Sequence, residues 1–262
     1  MKFRKNMFLE VSQQKISSVE FSKHSIFKKL YNITNQNTYY KDAPNIKEFQ
    51  IGIKNKNLYV LVEGEIVYIR LITLPTVRKY LINDMIKNEL RYYYKDIDHI
   101  SFTYKLIKEN KIDMDILVFC LKGNNLDILK NSFNNNVTLK KVNLIQFCFK
   151  SYYTSKINVK NYIMVFYYNC NLYYLICNNN EIVANNSVSV KEVTLSKFSK
   201  SMNEFLELYN DYAKSCEKIY YSNVSQLDIE GDIKEFKYLE LPHQVLDDLK
   251  KEELIKYVIL KG

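Results

Sequence analysis

The sequence predicts an α/β chain of two lobes, each opening with a β-hairpin. Three observations carry this expectation. The stretch "FLEVSQQKISSVEF", Phe8 to Phe21, reads as strand, polar turn and strand, and "NYIMVFYYNCNLYYLICN" at 161–178 repeats that form in the second half. Segments with apolar residues at helical spacing alternate with short β-rich segments in both halves. With 262 residues, 47% hydrophobic and 26% charged, the chain can bury a sizeable core and is globular in composition.

The elements follow in order. After the first hairpin come a short helix or turn near Ser25 to Tyr31 and a polar stretch through Pro44. "FQIGI", "LYVLVE" and "EIVYIRLITL" are β-rich, with a tight turn at Val62 to Glu65. "TVRKYLINDMIKNELRYYY" is an amphipathic helix: Val77, Leu81 and Met85 form one stripe, with Ile82, Ile86, Leu90 and Tyr93 beside it, and Thr76 is the expected N-cap. Ile100, Phe102, Tyr104 and Leu106 alternate along a strand, "KENK" turns it, and "IDMDILVFCL" returns. A helix over "NNLDILKNSF", a strand over "VTLKKV" and a helix over "NLIQFCFKSYY" complete the first half.

The second hairpin turns at Asn169-Cys170-Asn171, and "SVSVKEV" is the expected third strand. A long helix begins near Ser196, with Phe198, Met202, Phe205, Tyr209 and Tyr212 at helical spacing. "EKIYYSN", "FKYLEL" and a helix from His243 to about Tyr257 close the chain. Asn-rich runs at 134–136 and 178–180 read as loops.

Composition narrows the function classes. The longest apolar runs, 116–121 and 162–168, are strand-sized and far short of the ~18 residues a membrane helix needs. "MKFRKNMFLEV" lacks the apolar core of a signal peptide. Five cysteines, Cys120, Cys148, Cys170, Cys177 and Cys216, form no C-x-x-C pair and read as thiols in a reducing, cytoplasmic setting. The net charge of +9 and 23 tyrosines invite a nucleic-acid reading. The basic residues are scattered, however, with pairs at 28–29, 140–141 and 250–251 and no dense run, which fits a solvated basic surface. Abundant Lys, Asn, Ile and Tyr beside 5 Gly, 3 Pro and no Trp is the composition of an AT-rich coding sequence.

No enzyme motif is present: G-x-S-x-G, H-E-x-x-H and the P-loop are all missing from the sequence. His24, His99 and His243 stand away from any metal-ligand spacing. Asp96, Asp98 and His99 in "KDIDHI" read as a solvated loop, and Asp113 and Asp115 as the polar face of a strand. The Tyr-rich stretches "RYYYK", "KSYYTSK" and "CEKIYYSN" read as structural aromatics first and as interaction surface second.

The stretch "IVYIRLITLPTVRKYLINDMIKNELRYYY", followed by "ISFTYKLI" and "MDILVFCLKGNNLDIL", resembles the actin-like ATPase superfamily, and most of all its PilM family of type IV pilus assembly. The cytoplasmic part of the GspL family of type II secretion has the same organisation. The likeness lies in a strand ending in Leu-Pro, the helix after it and the order of elements over nearly the whole chain. It implies a two-lobed α/β, actin-like (ASKHA) fold: a first lobe at 1–155 with an inserted small subdomain at about 76–142, and a second lobe at 156–262.

The resemblance also implies where ATP and Mg²⁺ would sit. The family's Asp and Gly of the first hairpin fall at about Glu10 and Ser12; those of the second fall near Phe166 to Tyr168. Its Gly-Gly adenine turn falls near Ser222-Asn223 or Gly231. A side chain on a phosphate-cradling turn obstructs the backbone's approach. With three glycine-dependent contacts replaced, the expectation is a degenerate site: hairpins kept for the fold, no bound ATP or Mg²⁺ and no enzyme activity. The implied role is a cytoplasmic scaffold on the inner face of the cell membrane. It would bind the N-terminal tail of a PilN-like bitopic inner-membrane protein, with a pilus assembly ATPase or platform protein as further partner and no nucleic acid. The tail would lie in a groove between lobe and inserted subdomain, walled by Leu74, Pro75, Val77, Leu81 and Met85. An active ATP-dependent switch or kinase of the same superfamily and a basic nucleic-acid-binding protein are the alternatives.

Overall fold

The structure is a computed structural model that describes residues 5–12, 16–21, 38–40, 52–94, 97, 100–122, 137–224 and 241–260. The chain folds as two compact units, one made of Met1–Glu65, Asn124–Asn158 and Asp247–Gly262, the other of Ile66–Gly123 and Val159–Leu246.

The first unit holds a five-stranded sheet in the order β3-β2-β1-β4-β8. Strands β1 (Lys5–Val11) and β2 (Ile16–Phe21) form the antiparallel hairpin, and β3 (Thr38–Tyr40) extends it. On the other side β4 (Lys56–Val62) and β8 (Thr138–Leu144) run parallel to β1. β1 is buried from Asn6 onward and β4 from Leu58 onward apart from half-buried Tyr59, which is why "MFLEV" and "LYVLV" read as near-continuous apolar runs. Met7, Leu9, Val11, Ile53, Leu58, Val60 and Val62 form the core of this unit.

The second unit repeats the plan. Its larger sheet has the order β11-β10-β9-β12-β13. Strands β9 (Tyr162–Tyr168), β10 (Asn171–Asn178) and β11 (Glu181–Ser189) are an antiparallel meander, and β12 (Lys218–Ser222) and β13 (His243–Val245) continue parallel to β9. Both meander turns are two-residue turns with positive φ: Asn169 at 44° and Cys170 at 60°, Asn179 at 50° and Asn180 at 63°. Such turns match the right-handed twist of hairpin strands, and Asn tolerates the left-handed region better than most residues.

The same unit carries an antiparallel three-stranded sheet, β5-β7-β6, made of β5 (Val67–Pro75), β6 (Ile100–Glu109) and β7 (Asp113–Lys122). Helix α1 (Lys79–Tyr93) covers one face. Asn185 of β11, buried, clasps the start of this sheet: the Val67 amide donates to its Oδ1 at 3.1 Å and its Nδ2 donates to the Val67 carbonyl. A side-chain amide thus takes the place of a neighbouring strand. The remaining helices are α2 (Ile145–Tyr153), α3 (Leu195–Leu208), α4 (Asn210–Ala213) and α5 (Lys251–Leu260). Thr194 caps α3 by accepting from the Lys197 amide.

Several expectations shift. β8 lies in the first sheet rather than with the inserted strands, and the inserted sheet begins at Val67. Val62 to Glu65, with Gly64 at φ 75°, joins strands of two different sheets and not a hairpin. Gly52 and Ile53 of "FQIGI" are helical, and Asn55 at φ 58° ends that turn. The third meander strand is 181–189, not 187–193, because the Asn179-Asn180 turn returns the chain at once. His243 to Val245 is strand, and the last helix begins at Lys251. Thr76 does not cap α1: its hydroxyl donates to the Asn110 carbonyl at 2.8 Å, its amide donates to the Ile112 carbonyl at 3.0 Å, and Arg78 stands at the N-cap. The helices expected over 25–31 and 124–133, the loop at 134–136, positions 96, 98 and 99, and "FKYLEL" up to its last residue lie outside the described residues.

Candidate functional site

In the first unit, the parallel strands β1, β4 and β8 end together, the place where open α/β sheets bind ligands. Glu10 is the last residue but one of β1 and is only 1% exposed. Its Oε2 accepts from Ser17 Oγ at 2.9 Å, directly across the hairpin, and from Lys251 Nζ at 2.6 Å. Lys251 is the first residue of α5. A buried carboxylate without a counter-ion would be strongly destabilising, and here the chain supplies the cation itself. Ser12 follows β1, half-buried, and the turn residues 13–15 lie outside the described residues.

At the end of β4, Glu63 and Glu65 are also buried, and the Glu63 amide donates to the Val11 carbonyl at 2.9 Å. Burial pushes the Glu65 carboxyl above the usual carboxylate range. Gln146 of α2 donates from Nε2 to the Glu65 carbonyl at 2.5 Å. No group of three or more His, Cys, Asp or Glu among the described residues is arranged to hold a metal. Among the described residues the site places three buried carboxylates, Glu10, Glu63 and Glu65, with the Lys251 ammonium, a set with no excess positive charge to offer a phosphate.

The second hairpin is filled with rings where the resemblance puts a phosphate loop. Phe166 is fully buried and stacks on Tyr173 with centroids 4.7 Å apart and planes at 10°, and Tyr168 is buried beside Asn169. Ser222 is buried, and Asn223 takes φ 56°. Gly231 lies outside the described residues.

The five residues expected to wall a partner groove divide. Leu74 is 3% exposed and belongs to the core between the inserted sheet and α1, with Ile72, Ile82, Ile86, Leu90, Met114 and Ile116. Val77 and Met85 are partly buried against that core. Pro75 and Leu81 are exposed. The buried stripe of α1 is Ile82, Ile86 and Leu90, leaving Leu81 and Tyr80 outward. Ile112, 80% exposed, hydrogen-bonds through its carbonyl to the Thr76 amide, next to Pro75.

Asp113 and Asp115 are spent locally: Asp115 Oδ1 accepts from the Thr73 hydroxyl at 2.7 Å and Asp113 from Asn110 Nδ2. Asp96, Asp98, His99 and His24 lie outside the described residues, and His243 is exposed. Of the thiols, Cys170 alone is exposed. Burial pushes Cys148 and Cys216 up to about 12 and Cys120 up to about 11. Iodoacetamide at mildly alkaline pH is therefore expected to modify the native protein at Cys170 only, and all five cysteines after unfolding, as read by peptide mass mapping; native-state alkylation of Cys148 would contradict the packing of α2.

No protein-family model matches the chain, and no curated protein matches its sequence. Solved structures do. A chain of the PilM–PilN type IV pilus biogenesis complex matches with a TM-score of 0.59 at 9% sequence identity, covering 97% of this chain and 96% of that one. The cytoplasmic domain of EpsL, an inner membrane component of the type II secretion system of Vibrio cholerae, matches with a TM-score of 0.51 at 9% identity over 98% and 95%. A Bacteroides thetaiotaomicron protein with an actin-like ATPase fold and unknown function matches with a TM-score of 0.50 at 9% identity over 96% and 95%. The repeated five-stranded sheets, the three-stranded sheet inserted in sequence between β4 and β8, and these matches over nearly the whole chain agree: this chain has the α/β actin-like fold.

Proposed function

We propose that this protein is a cytoplasmic scaffold of the inner-membrane platform of a type IV pilus or a related secretion machine, and that it works by binding the cytoplasmic tail of a PilN-like membrane protein. The observation that carries this reading is the likeness to the PilM–PilN complex over 97% of the chain. Among the described residues no helix is long and apolar enough to cross a membrane, so in this reading a partner supplies the attachment. The tail docks on the exposed apolar residues at the join of β5 and α1, where Pro75 and Leu81 face outward and Val77 and Met85 lie half-buried beneath them. Leu74 supports that surface from within the core.

The nucleotide site is degenerate in this reading. Glu10, the carboxylate nearest to a metal-binding role, already has a lysine ammonium and a serine hydroxyl as partners. Titration with Mg-ATP in a calorimeter is expected to give no saturable heat; binding at micromolar affinity would overturn this part and favour an ATP-dependent switch. The scaffold role is tested by purifying the tagged protein from detergent-solubilised membranes. Co-purification of a small bitopic membrane protein, followed by direct binding of its synthetic N-terminal tail, is the expected result. A tail that fails to bind the isolated protein would overturn it.

A further inference from the structure

The three-stranded sheet has two edges, and the chain treats them differently. At the β5 edge, the start of the strand is clasped by the Asn185 amide. β6 is the other edge. Among the described residues, its only backbone hydrogen bond outside the pairing with β7 runs from the Ile100 amide to the Ile97 carbonyl, at 3.0 Å. Ser101, Thr103 and every residue from Lys105 to Glu109 are exposed, while Ile100, Phe102 and Tyr104 are half-buried. An edge of this kind offers a row of main-chain donors and acceptors that another strand can pair in series.

The side chains decide which strand fits. The regular part of β6 is Ile100–Leu106, because Ile107 is skipped in the pairing with β7. That bulge, with Lys108 and Glu109 beyond it, blunts the rest of the edge. Within the regular part the side chains alternate between the two faces of the sheet. Ile100, Phe102 and Tyr104 pack against the core under α1, and Leu106, opposite Ile116 of that core, is on the same face. Ser101, Thr103 and Lys105 line the other face. A strand added here therefore needs apolar residues in phase on the α1 face and no cation opposite Lys105.

We infer that the β6 edge joins two copies of this chain, β6 pairing antiparallel with β6 of the second copy about a two-fold axis at Thr103. Thr103 is the midpoint of Ile100–Leu106, so pairing over the whole regular part has a single register. In that register Thr103 faces the partner's Thr103, Phe102 faces the partner's Tyr104, Ile100 faces the partner's Leu106 and Ser101 faces the partner's Lys105. Each apolar residue meets an apolar one, no like charges are opposed, and the exposed Leu106 is covered in both copies. β6 is thus complementary to itself, as a two-fold interface requires. Lys105 keeps its own counter-ion, Glu181 at 2.6 Å, so the contact with Ser101 leaves no uncompensated cation. This edge does not rest on the tail-binding reading, since Pro75 belongs to β5 at the opposite edge of the sheet.

The test is sedimentation equilibrium of the whole chain. A short edge is a small interface that gives a micromolar dimer, so the mass should rise from 31.3 kDa toward twice that value with concentration. The double variant Ser101→Lys/Thr103→Lys opposes like charges all along the polar face and should weaken the dimer about thirtyfold. Both positions are exposed, so its circular dichroism should stay unchanged. Ser101→Glu, facing the partner's Lys105, should tighten the dimer several-fold. In a Cys170→Ser background, mild oxidation should link Thr103→Cys into a disulfide dimer, because directly opposed residues bring their Cα atoms within disulfide range, and should not link Ser101→Cys. A chain that stays monomeric to millimolar concentration would overturn the proposal and leave the edge to an extended segment of another protein. A dimer indifferent to the double lysine variant, or one that Thr103→Cys does not cross-link, would overturn it by placing the contact elsewhere. If the double variant fails to fold, Ser101→Glu and Thr103→Cys carry the same comparison.

Discussion

Lys251→Met is expected to destabilise the protein by about 3 kcal/mol, a larger loss than any surface substitution should give. Methionine keeps the unbranched stem and removes the ammonium. The Glu10 carboxylate, 1% exposed, then loses the ammonium paired with it and keeps the Ser17 hydroxyl. Either it stays charged at a heavy desolvation cost, or it takes up a proton and loses the charge-assisted bond. The Lys251 side chain is 38% exposed, so the full interior penalty does not apply, but the carboxylate side of the pair has no access to water. Chemical unfolding in urea is the measurement, read as a fall in midpoint with an unchanged slope.

The double variant Glu10→Gln/Lys251→Met should recover most of the loss, because removing both charges leaves no buried ion and Gln can still accept from Ser17. A cost under about 1 kcal/mol for Lys251→Met alone would place the pair among ordinary surface ion pairs and remove the argument that the chain supplies its own counter-ion at Glu10.

That pair also marks a limit of sequence reading. "MFLEV" announces a carboxylate in an apolar strand, and such a group requires a cationic partner. Which of 38 Lys and Arg residues provides it is set by where α5 docks, 241 positions along the chain. The same distinction runs through the fold. Features fixed by near neighbours were legible: both hairpins and an amphipathic α1, although the pattern did not separate its buried stripe, Ile82, Ile86 and Leu90, from the exposed Leu81 and Tyr93. Features fixed by distant pairing were not. β8 joins β4 by parallel pairing across 81 positions of sequence, Asn57 with Thr138, and His243 to Val245 become strand because β12 offers a parallel edge, not because their own residues favour one. Thr76 looked like a cap, and its hydroxyl instead ties the start of α1 to the β6–β7 turn. "SVSVKEV" alternates well, yet the two-residue turn at Asn179-Asn180 commits the chain to a strand earlier. At the candidate site, Glu10 was visible in the sequence, whereas Lys251 required the fold.

Leu74→Ala and Leu81→Asp are expected to separate stability from partner binding. Leu74 is buried among the side chains of the sheet–helix core, so truncation removes apolar contacts and leaves a cavity, at about 2–5 kcal/mol. Leu81 is outside the buried stripe and exposed, so Leu81→Asp should move stability by no more than about 0.5 kcal/mol. On the proposed tail-binding surface its effect should appear in binding instead: an aspartate among apolar residues there costs desolvation and loses contact area, about thirtyfold or more in affinity for the proposed partner tail. Urea unfolding and calorimetry with the tail peptide read the two quantities independently. The informative failure is a stable Leu81→Asp protein that binds the tail as tightly as wild type, since that removes the α1 surface from the docking site while leaving the fold intact. A Leu74→Ala protein that binds normally once its stability is accounted for would assign Leu74 to packing alone, as its burial already implies.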